Sequence, residues 1–183
     1  MKFNAYVRSL DVAAMQFKLA LQTNAAAHRG ASWLGPPLPQ YLAGMSYGGL
    51  HIGKADLRLT PDEAALASSA LEHTATFALA VAVDSAFEKI IPDRFNSSDP
   101  AIVVAARIAR IIRNAFSHDP FFPTWVCTNP NHLGQFAIPD VISLDTSVMN
   151  GKEVDWRHYG GPLALLRFVR HCQGLLAGQS CDG

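Results

Sequence analysis

The chain has 183 residues, and its 15 Lys plus Arg balance its 15 Asp plus Glu, so the formal net charge is zero. A neutral chain has no overall positive field to hold a long nucleic acid by phosphate neutralisation alone, so any nucleic-acid contact must be local. Charged residues make up 16% of the chain, against a usual fraction of roughly a quarter, and 49% are hydrophobic. This small polar fraction favours a buried subunit interface on a single domain spanning residues 1–183.

Cysteine usage and the apolar runs predict a cytoplasmic protein. The three cysteines are an odd number without framework spacing, which suits a reducing compartment. Scattered charges at the start of the chain and the lack of a cleavage site argue against a signal peptide. The longest strongly apolar run, residues 74–83, is about half of what a membrane crossing needs, so no membrane association is expected.

Apolar residues at intervals of three and four predict a first helix over about residues 5–27. The Gly- and Pro-rich stretch 28–59 follows as a long loop of the kind that is often functional. Thr60 as N-cap, Pro61 at the first helical position and Glu63 three residues after the cap predict the start of a second helix, which is long and apolar.

Asp99 and Pro100 repeat the cap-then-proline start and predict a third helix, which ends at the Asp119-Pro120 stop. Two short runs on either side of Asn150-Gly151 predict a β-hairpin over residues 141–159. A fourth helix with an apolar stripe follows, and residues 178–183 are expected to form a flexible tail.

The third predicted helix ends in the polar motif "IIRNAFSHDP", residues 111–120. Asn114 and His118 are four residues apart and share a helix face, whereas Arg113 and His118 are five apart and point roughly 140° from each other. Two arrangements would bring Arg113 and His118 to one target. Either the helix ends at His118 and leaves its side chain free to turn, or a second copy of the helix supplies the complementary group across a two-fold axis.

This motif resembles the catalytic motif of the HEPN family, in which an arginine, usually followed by a polar residue, precedes a histidine with four to six residues between the two, near the end of a core helix. Arg113, Asn114 and His118 match it with four intervening residues. HEPN domains are all-α bundles, and many are metal-independent endoribonucleases of toxin–antitoxin, phage-defence and RNA-processing systems that commonly act as dimers. The resemblance is confined to helix three and a compatible helical order.

The resemblance implies an all-α, HEPN-like antiparallel helical bundle with a small β-hairpin insert. It further implies a homodimer that cleaves RNA, with Arg113 and His118 as catalytic residues and Asn114 assisting them. No cofactor and no metal are expected, and an antitoxin protein is a candidate partner.

The chemistry of metal-free RNA cleavage independently suits these residue types. The 2′-hydroxyl of the substrate is the nucleophile, so one group must take its proton, another must protonate the leaving oxygen, and cations must stabilise the extra phosphate charge. Histidine has an ordinary pKa of about 6.5, which leaves both protonation states accessible near neutrality. One histidine per chain does not easily fill both roles, whereas a symmetric dimer brings two copies each of His118 and Arg113.

Other interpretations of the same residues remain open. Arg113 and His118 also suit the favourable interaction of cations with a helix C-terminus, without any function. Arg107 and Arg110 continue a basic stripe that either binds RNA phosphates or is simply a solvated face. The main alternative is a non-catalytic HEPN-like module for dimerisation or protein binding. The low charge of the chain and its long loop support this alternative.

Three weaker patterns complete the sequence. Residues 48–54 fit G-x-x-x-x-G-K but lack the Ser or Thr that binds magnesium, so an ordinary loop is favoured. The spacing of Cys127 and His132 matches no standard zinc-ligand pair. His73 and Asp84, eleven residues apart on helix two, share a face and form either a hydrogen-bonded polar pair or part of the cleft that holds His118.

Overall fold

The computed structural model describes residues 2–29, 45–47, 50–52 and 59–178. The protein is mostly helical, and the described residues form four α-helices: α1 (Lys2–His28), α2 (Pro61–Ile90), α3 (Pro100–Ser117) and α4 (Pro162–Gly178). The four helices predicted from the apolar periodicity are therefore confirmed. Of the predicted tail, residues 179–183 lie outside the described residues.

Side-chain caps define the starts of α2 and α3, as predicted. Glu63 N–H donates to Thr60 Oγ1 at 3.3 Å, and Thr60 N–H donates to the Glu63 carboxylate at 2.7 Å, so the capping box is formed. Asp99 Oδ1 accepts from the N–H of Ala101 at 2.8 Å, and Pro100 occupies the first turn of α3. Each cap satisfies backbone donors that have no partner inside the helix.

The long loop predicted over residues 28–59 is described in part. Within it β1 (Met45–Tyr47) pairs antiparallel with β2 (Leu50–Ile52), so six of its residues form a short two-stranded sheet. The G-x-x-x-x-G-K pattern at 48–54 lies outside the described residues apart from β2.

The predicted hairpin is displaced toward the N-terminus. β3 (Gln135–Ile138) pairs antiparallel with β4 (Ile142–Asp145), so one strand lies in a stretch that the sequence pattern indicated as irregular. Asn150-Gly151 does form a turn, but that turn packs against another segment: Asn150 Oδ1 accepts from Cys127 N–H, and Gly151 N–H donates to the carbonyl of Trp125. Because these partners lie outside residues 141–159, the turn does not join two strands.

The described residues divide into two compact units. One contains described residues of 1–17 and 73–183, and the other contains those of 18–72. In the first unit α3 packs against β3 and α4, and one side of α3 is buried along its whole length. The buried residues of α3 are Ile102, Ala105, Ala106, Ile108, Ala109, Ile111, Ile112, Ala115 and Phe116. The opposite side of α3 carries half-exposed polar residues such as Arg113 and Asn114, and the buried side holds them in place.

Helix α2 is long and apolar enough, by length and composition, to cross a membrane, with a mean hydropathy of 1.3 over its most apolar window. Core helices of soluble proteins satisfy the same criterion, and α2 also carries the buried acidic residues Glu72 and Asp84. The run 74–83 was judged too short to cross a membrane, but α2 as a whole is longer and meets the length and composition criterion. The cytoplasmic location stays a prediction.

Candidate functional site

The motif residues lie at the C-terminal end of α3. His118 is the C-cap residue and its side chain is exposed, while Arg113 and Asn114 are half-buried within the last two turns. The described residues offer no hydrogen-bond or ion-pair partner to the His118 ring. His118 is therefore open to solvent and to any molecule that approaches the helix end.

Two nitrogens of the Arg113 guanidinium lie near partners within the protein. Its Nη1 donates to Asn114 Oδ1 at 3.4 Å, and its Nε lies 4.0 Å from Asp84 Oδ2. The side chain is 39% exposed. The amide oxygen of Asn114 thus contacts Arg113, and the assisting role of Asn114 stays a prediction.

Asp84 of α2 is the centre of a cluster of charges that faces α3. Its side chain is 5% exposed, and it lies 3.0 Å from Arg110 Nε and 3.8 Å from Arg94 Nη2. Glu88, one turn further along α2, lies 3.8 Å from Arg94 and 3.9 Å from Arg110. Three guanidinium groups, with Arg113, thus face two carboxylates, which leaves one net positive charge beside the motif.

The two arginines predicted to bind RNA both make contacts within the protein. Arg107 Nη1 donates to the carbonyl of Asn131 at 3.0 Å, and Arg110 is bound to Asp84 and has a side chain that is 26% exposed. Neither forms a fully solvated basic face. Arg94 was not predicted as a site residue, and it is buried beside Asp84 with its guanidinium 4.6 Å from the ring centroid of Phe95.

His73 and Asp84 do not bind each other. His73 Nδ1 hydrogen-bonds the carbonyl oxygen of Phe121 at 3.0 Å, and its ring packs edge-on against Phe116 at 6.1 Å between centroids. Residues 116 and 121 lie on either side of His118, so His73 packs on the segment that carries the motif. Of the two predicted alternatives for the shared face, the hydrogen-bonded pair is not formed.

The turn after His118 exposes two aromatic rings. Asp119 Oδ1 accepts from the N–H groups of Phe121 and Phe122 at 2.9 and 3.1 Å, which fixes the backbone of the turn. The side chains of Phe121 and Phe122 are nevertheless 54% and 69% exposed. Large aromatic side chains that face water beside a charged site are suited to contact a ligand.

His132 and Cys127 lie in the same unit as the motif without forming a ligand set. Across the described part of the chain no three His, Cys, Asp or Glu residues cluster as they would around a metal ion. Burial raises the pKa of the Cys127 thiol, which disfavours the thiolate that metal binding requires.

Comparison with known proteins identifies no relative of the chain: no family model, no curated protein and no solved structure matches it. The resemblance to HEPN domains consequently rests on Arg113, Asn114 and His118 alone.

Proposed function

We propose that the protein is a metal-independent endoribonuclease of HEPN type, in which two copies of the α3 end form one site. The exposed His118 at the helix terminus, with the half-exposed Arg113 before it, is the observation that carries this proposal. A histidine buried in its own protomer would have favoured a non-catalytic module. Cytoplasmic RNA is the proposed substrate, and a toxin–antitoxin or phage-defence setting would supply an antitoxin protein as partner.

The charge cluster supports the role assigned to Arg113. Its Nε lies near the buried Asp84 carboxylate and its Nη1 contacts Asn114, so two contacts limit the orientations of the guanidinium. A planar guanidinium held in this way binds a phosphate with less loss of side-chain freedom than a mobile one. The neighbouring Arg94 and Arg110 balance the charges of Asp84 and Glu88, so the positive charge of Arg113 is not cancelled.

The division of labour follows from the chemistry of RNA cleavage. One His118 takes the proton of the 2′-hydroxyl as its oxygen attacks phosphorus, and the other protonates the 5′ oxygen as the P–O5′ bond breaks. The two copies of Arg113 stabilise the charge on the phosphoryl oxygens. The exposed rings of Phe121 and Phe122 provide surfaces on which unpaired bases stack.

Cleavage of a labelled single-stranded RNA in excess chelator tests the proposal. We expect His118→Ala to lower the rate by roughly 100-fold or more, since general acid–base catalysis contributes about that much. His28→Ala is the matched control, because His28 is also an exposed histidine at a helix end. Equal cleavage by wild type and His118→Ala, with both proteins folded by circular dichroism, would exclude this function.

A non-catalytic dimerisation or protein-binding module is the second candidate. Exposed apolar side chains favour it: Val12 and Met15, three residues apart on α1, are 49% and 57% exposed. Light scattering coupled to size-exclusion chromatography separates the two cases when combined with the cleavage assay. A dimer without chelator-resistant cleavage supports the module, whereas a dimer whose cleavage requires His118 supports the nuclease.

A further inference from the structure

A cleft of about 470 Å³ lies between His73 of α2 and the segment 152–158. Its size falls within the usual range of small-ligand sites, roughly 300–1,000 Å³. Within that segment Trp156 and His158 contribute aromatic rings to the cleft, and all of these residues belong to one compact unit. The Trp156 ring packs against Phe17 at 6.0 Å between centroids, so one wall of the cleft is a fixed aromatic surface.

The contact between His73 and Phe121 determines the tautomer of His73. Its Nδ1 lies 3.0 Å from the carbonyl oxygen of Phe121, and because a carbonyl only accepts, Nδ1 must carry the hydrogen. In the neutral ring the other nitrogen, Nε2, is then an acceptor. The described residues supply no hydrogen-bond partner to Nε2, so it is available to a ligand.

His158 has the opposite tautomer. Its Nδ1 accepts from the indole N–H of Trp125 at 2.9 Å and from the backbone N–H of Asp155 at 3.1 Å. Both partners can only donate, so Nδ1 carries the lone pair and Nε2 carries the hydrogen. Of the two histidines that line the cleft, His73 can thus accept through Nε2 and His158 can donate through Nε2.

The charged side chains at the cleft balance one another. Asp155 is bound by the guanidinium of Arg157, which holds the pKa of Asp155 well below its usual range and keeps it ionised and paired. Lys152 and Glu153 are exposed and carry opposite charges. Lys152 supplies a cation to an anionic ligand, and Glu153 opposes the binding of that anion.

We propose that the cleft binds a ribonucleotide bearing a 3′-phosphate, with the 2′-hydroxyl donating to His73 Nε2 and the phosphate accepting from His158 Nε2–H and Lys152. On ribose a 2′-hydroxyl donor stands next to a 3′-phosphate acceptor, and the two histidine tautomers complement that pair. The choice of RNA as the source of the nucleotide rests on the proposed function. The site itself is distinct from His118, although His73 is tied to the same segment through Phe121.

Nuclear magnetic resonance of the full chain labelled with ¹⁵N tests the site without any cleavage. In the free protein we expect long-range ¹H–¹⁵N spectra to show the Nδ1–H tautomer for His73 and the Nε2–H tautomer for His158, assigned with His73→Gln and His158→Gln. Uridine 3′-monophosphate should then shift both Nε2 signals in a saturable way. Opposite tautomer assignments, or no saturable shift of either ring, would overturn the proposal.

A second probe isolates the hydrogen bond from the 2′-hydroxyl. We expect 2′-deoxyuridine 3′-monophosphate to bind roughly 3- to 10-fold more weakly, the loss that one hydrogen bond represents. Equal affinities for the two nucleotides would contradict the role of His73. Neither mononucleotide is cleaved in this experiment, so binding is measured separately from cleavage. Binding as expected without any RNA cleavage would contradict the proposed function and still support this site.

Adjacent exposed residues give matched variants that leave the fold alone. Lys152→Met should weaken binding of uridine 3′-monophosphate by roughly 10-fold, and Glu153→Gln should strengthen it, since the first removes an attractive charge and the second a repulsive one. His28→Ala should leave the affinity unchanged, because His28 is exposed and does not line the cleft. Unchanged binding in Lys152→Met, weaker binding in Glu153→Gln, or loss of binding in His28→Ala would each place the nucleotide elsewhere.

Discussion

Arg110 Nε lies 3.0 Å from Oδ1 of Asp84, and through this contact a carboxylate that is only 5% exposed joins α2 to α3. Arg94 approaches the same oxygen at 3.8 Å from the segment between the two helices. Burying an ion costs several kcal/mol, roughly, unless partners replace its water. The cluster thus fixes the face of α2 against the helix that carries the motif.

Asp84→Asn should lower the free energy of unfolding by about 3 kcal/mol, because Arg94 is buried and would keep only the exposed Glu88 as a counter-ion. Glu88→Gln is the control: Glu88 contacts the same two arginines, but its side chain is 51% exposed, so the loss should be below about 1 kcal/mol. Urea unfolding followed by circular dichroism measures both. Equal losses of unfolding free energy in the two variants would show that the burial of Asp84 does not strengthen its ion pairs.

Arg113→Lys should reduce RNA cleavage by roughly 10-fold or more while changing stability little, since lysine keeps the charge but loses the planar fork that binds phosphate. Arg8→Lys, at an exposed position of α1, is the corresponding control. Rates are compared at saturating RNA and constant salt. A full rate in Arg113→Lys would show that the arginine contributes only its charge.

Arg107→Gln tests whether the predicted basic stripe meets RNA. If Arg107 leaves Asn131 to bind a phosphate, the slope of log affinity against log salt should fall by about one unit in the variant. The expected outcome from the structure is an unchanged slope, because Nη1 of Arg107 is occupied by the Asn131 carbonyl. Fluorescence anisotropy over a salt series measures it.

Asp99→Ala should destabilise the protein by about 1 kcal/mol, since it removes the side-chain acceptor at the start of α3. Asp99→Asn should retain most of the stability because asparagine caps equally well. Thermal unfolding of the two variants provides the comparison. The same loss in both would indicate that the negative charge, not the cap, is what matters.

Acidification should weaken the fold through His132. Burial, with Arg107 and Arg110 nearby, lowers the pKa of His132 from its ordinary value of 6.5. The unfolded chain therefore binds the proton more readily than the folded one, so this contribution to stability is complete above about pH 6.5 and is lost as the pH falls toward the folded-state pKa. Unfolding free energies from about pH 7.5 to about pH 5 should fall less in His132→Gln than in wild type. Parallel curves would contradict this.

Cys127 and Cys172 should resist thiol reagents. Burial raises the pKa of Cys127 and raises that of Cys172 well above the usual value, so little thiolate forms and little of it is reachable. In a Cys181→Ser background, a disulfide reagent at about pH 8 should modify the native protein far more slowly than the denatured protein. Rapid modification of the native variant would show that one of the two sites opens readily.

The sequence by itself determined the helices and their ends. The helix caps act on backbone groups within three residues of themselves, as Thr60 with Glu63 and Asp99 with Pro100 show. Such caps can therefore be predicted from neighbouring residues in the sequence. The apolar periodicity likewise predicted α1 and α4. The motif at Arg113 and His118 was found for the same reason: its residues lie within two turns of one helix.

Only the tertiary structure decided what these elements meet. Asn150 and Gly151 bind Cys127 and Trp125 and do not close a hairpin, and this pairing across more than twenty residues is not encoded by local turn preferences. The ion pair of Arg94 with Asp84 also joins separate segments of the chain. The tautomers of His73 and His158 likewise follow from contacts with Phe121 and Trp125, which are distant in the sequence. Proton positions and ion pairs depend on distances between segments, and those distances arise when the chain packs.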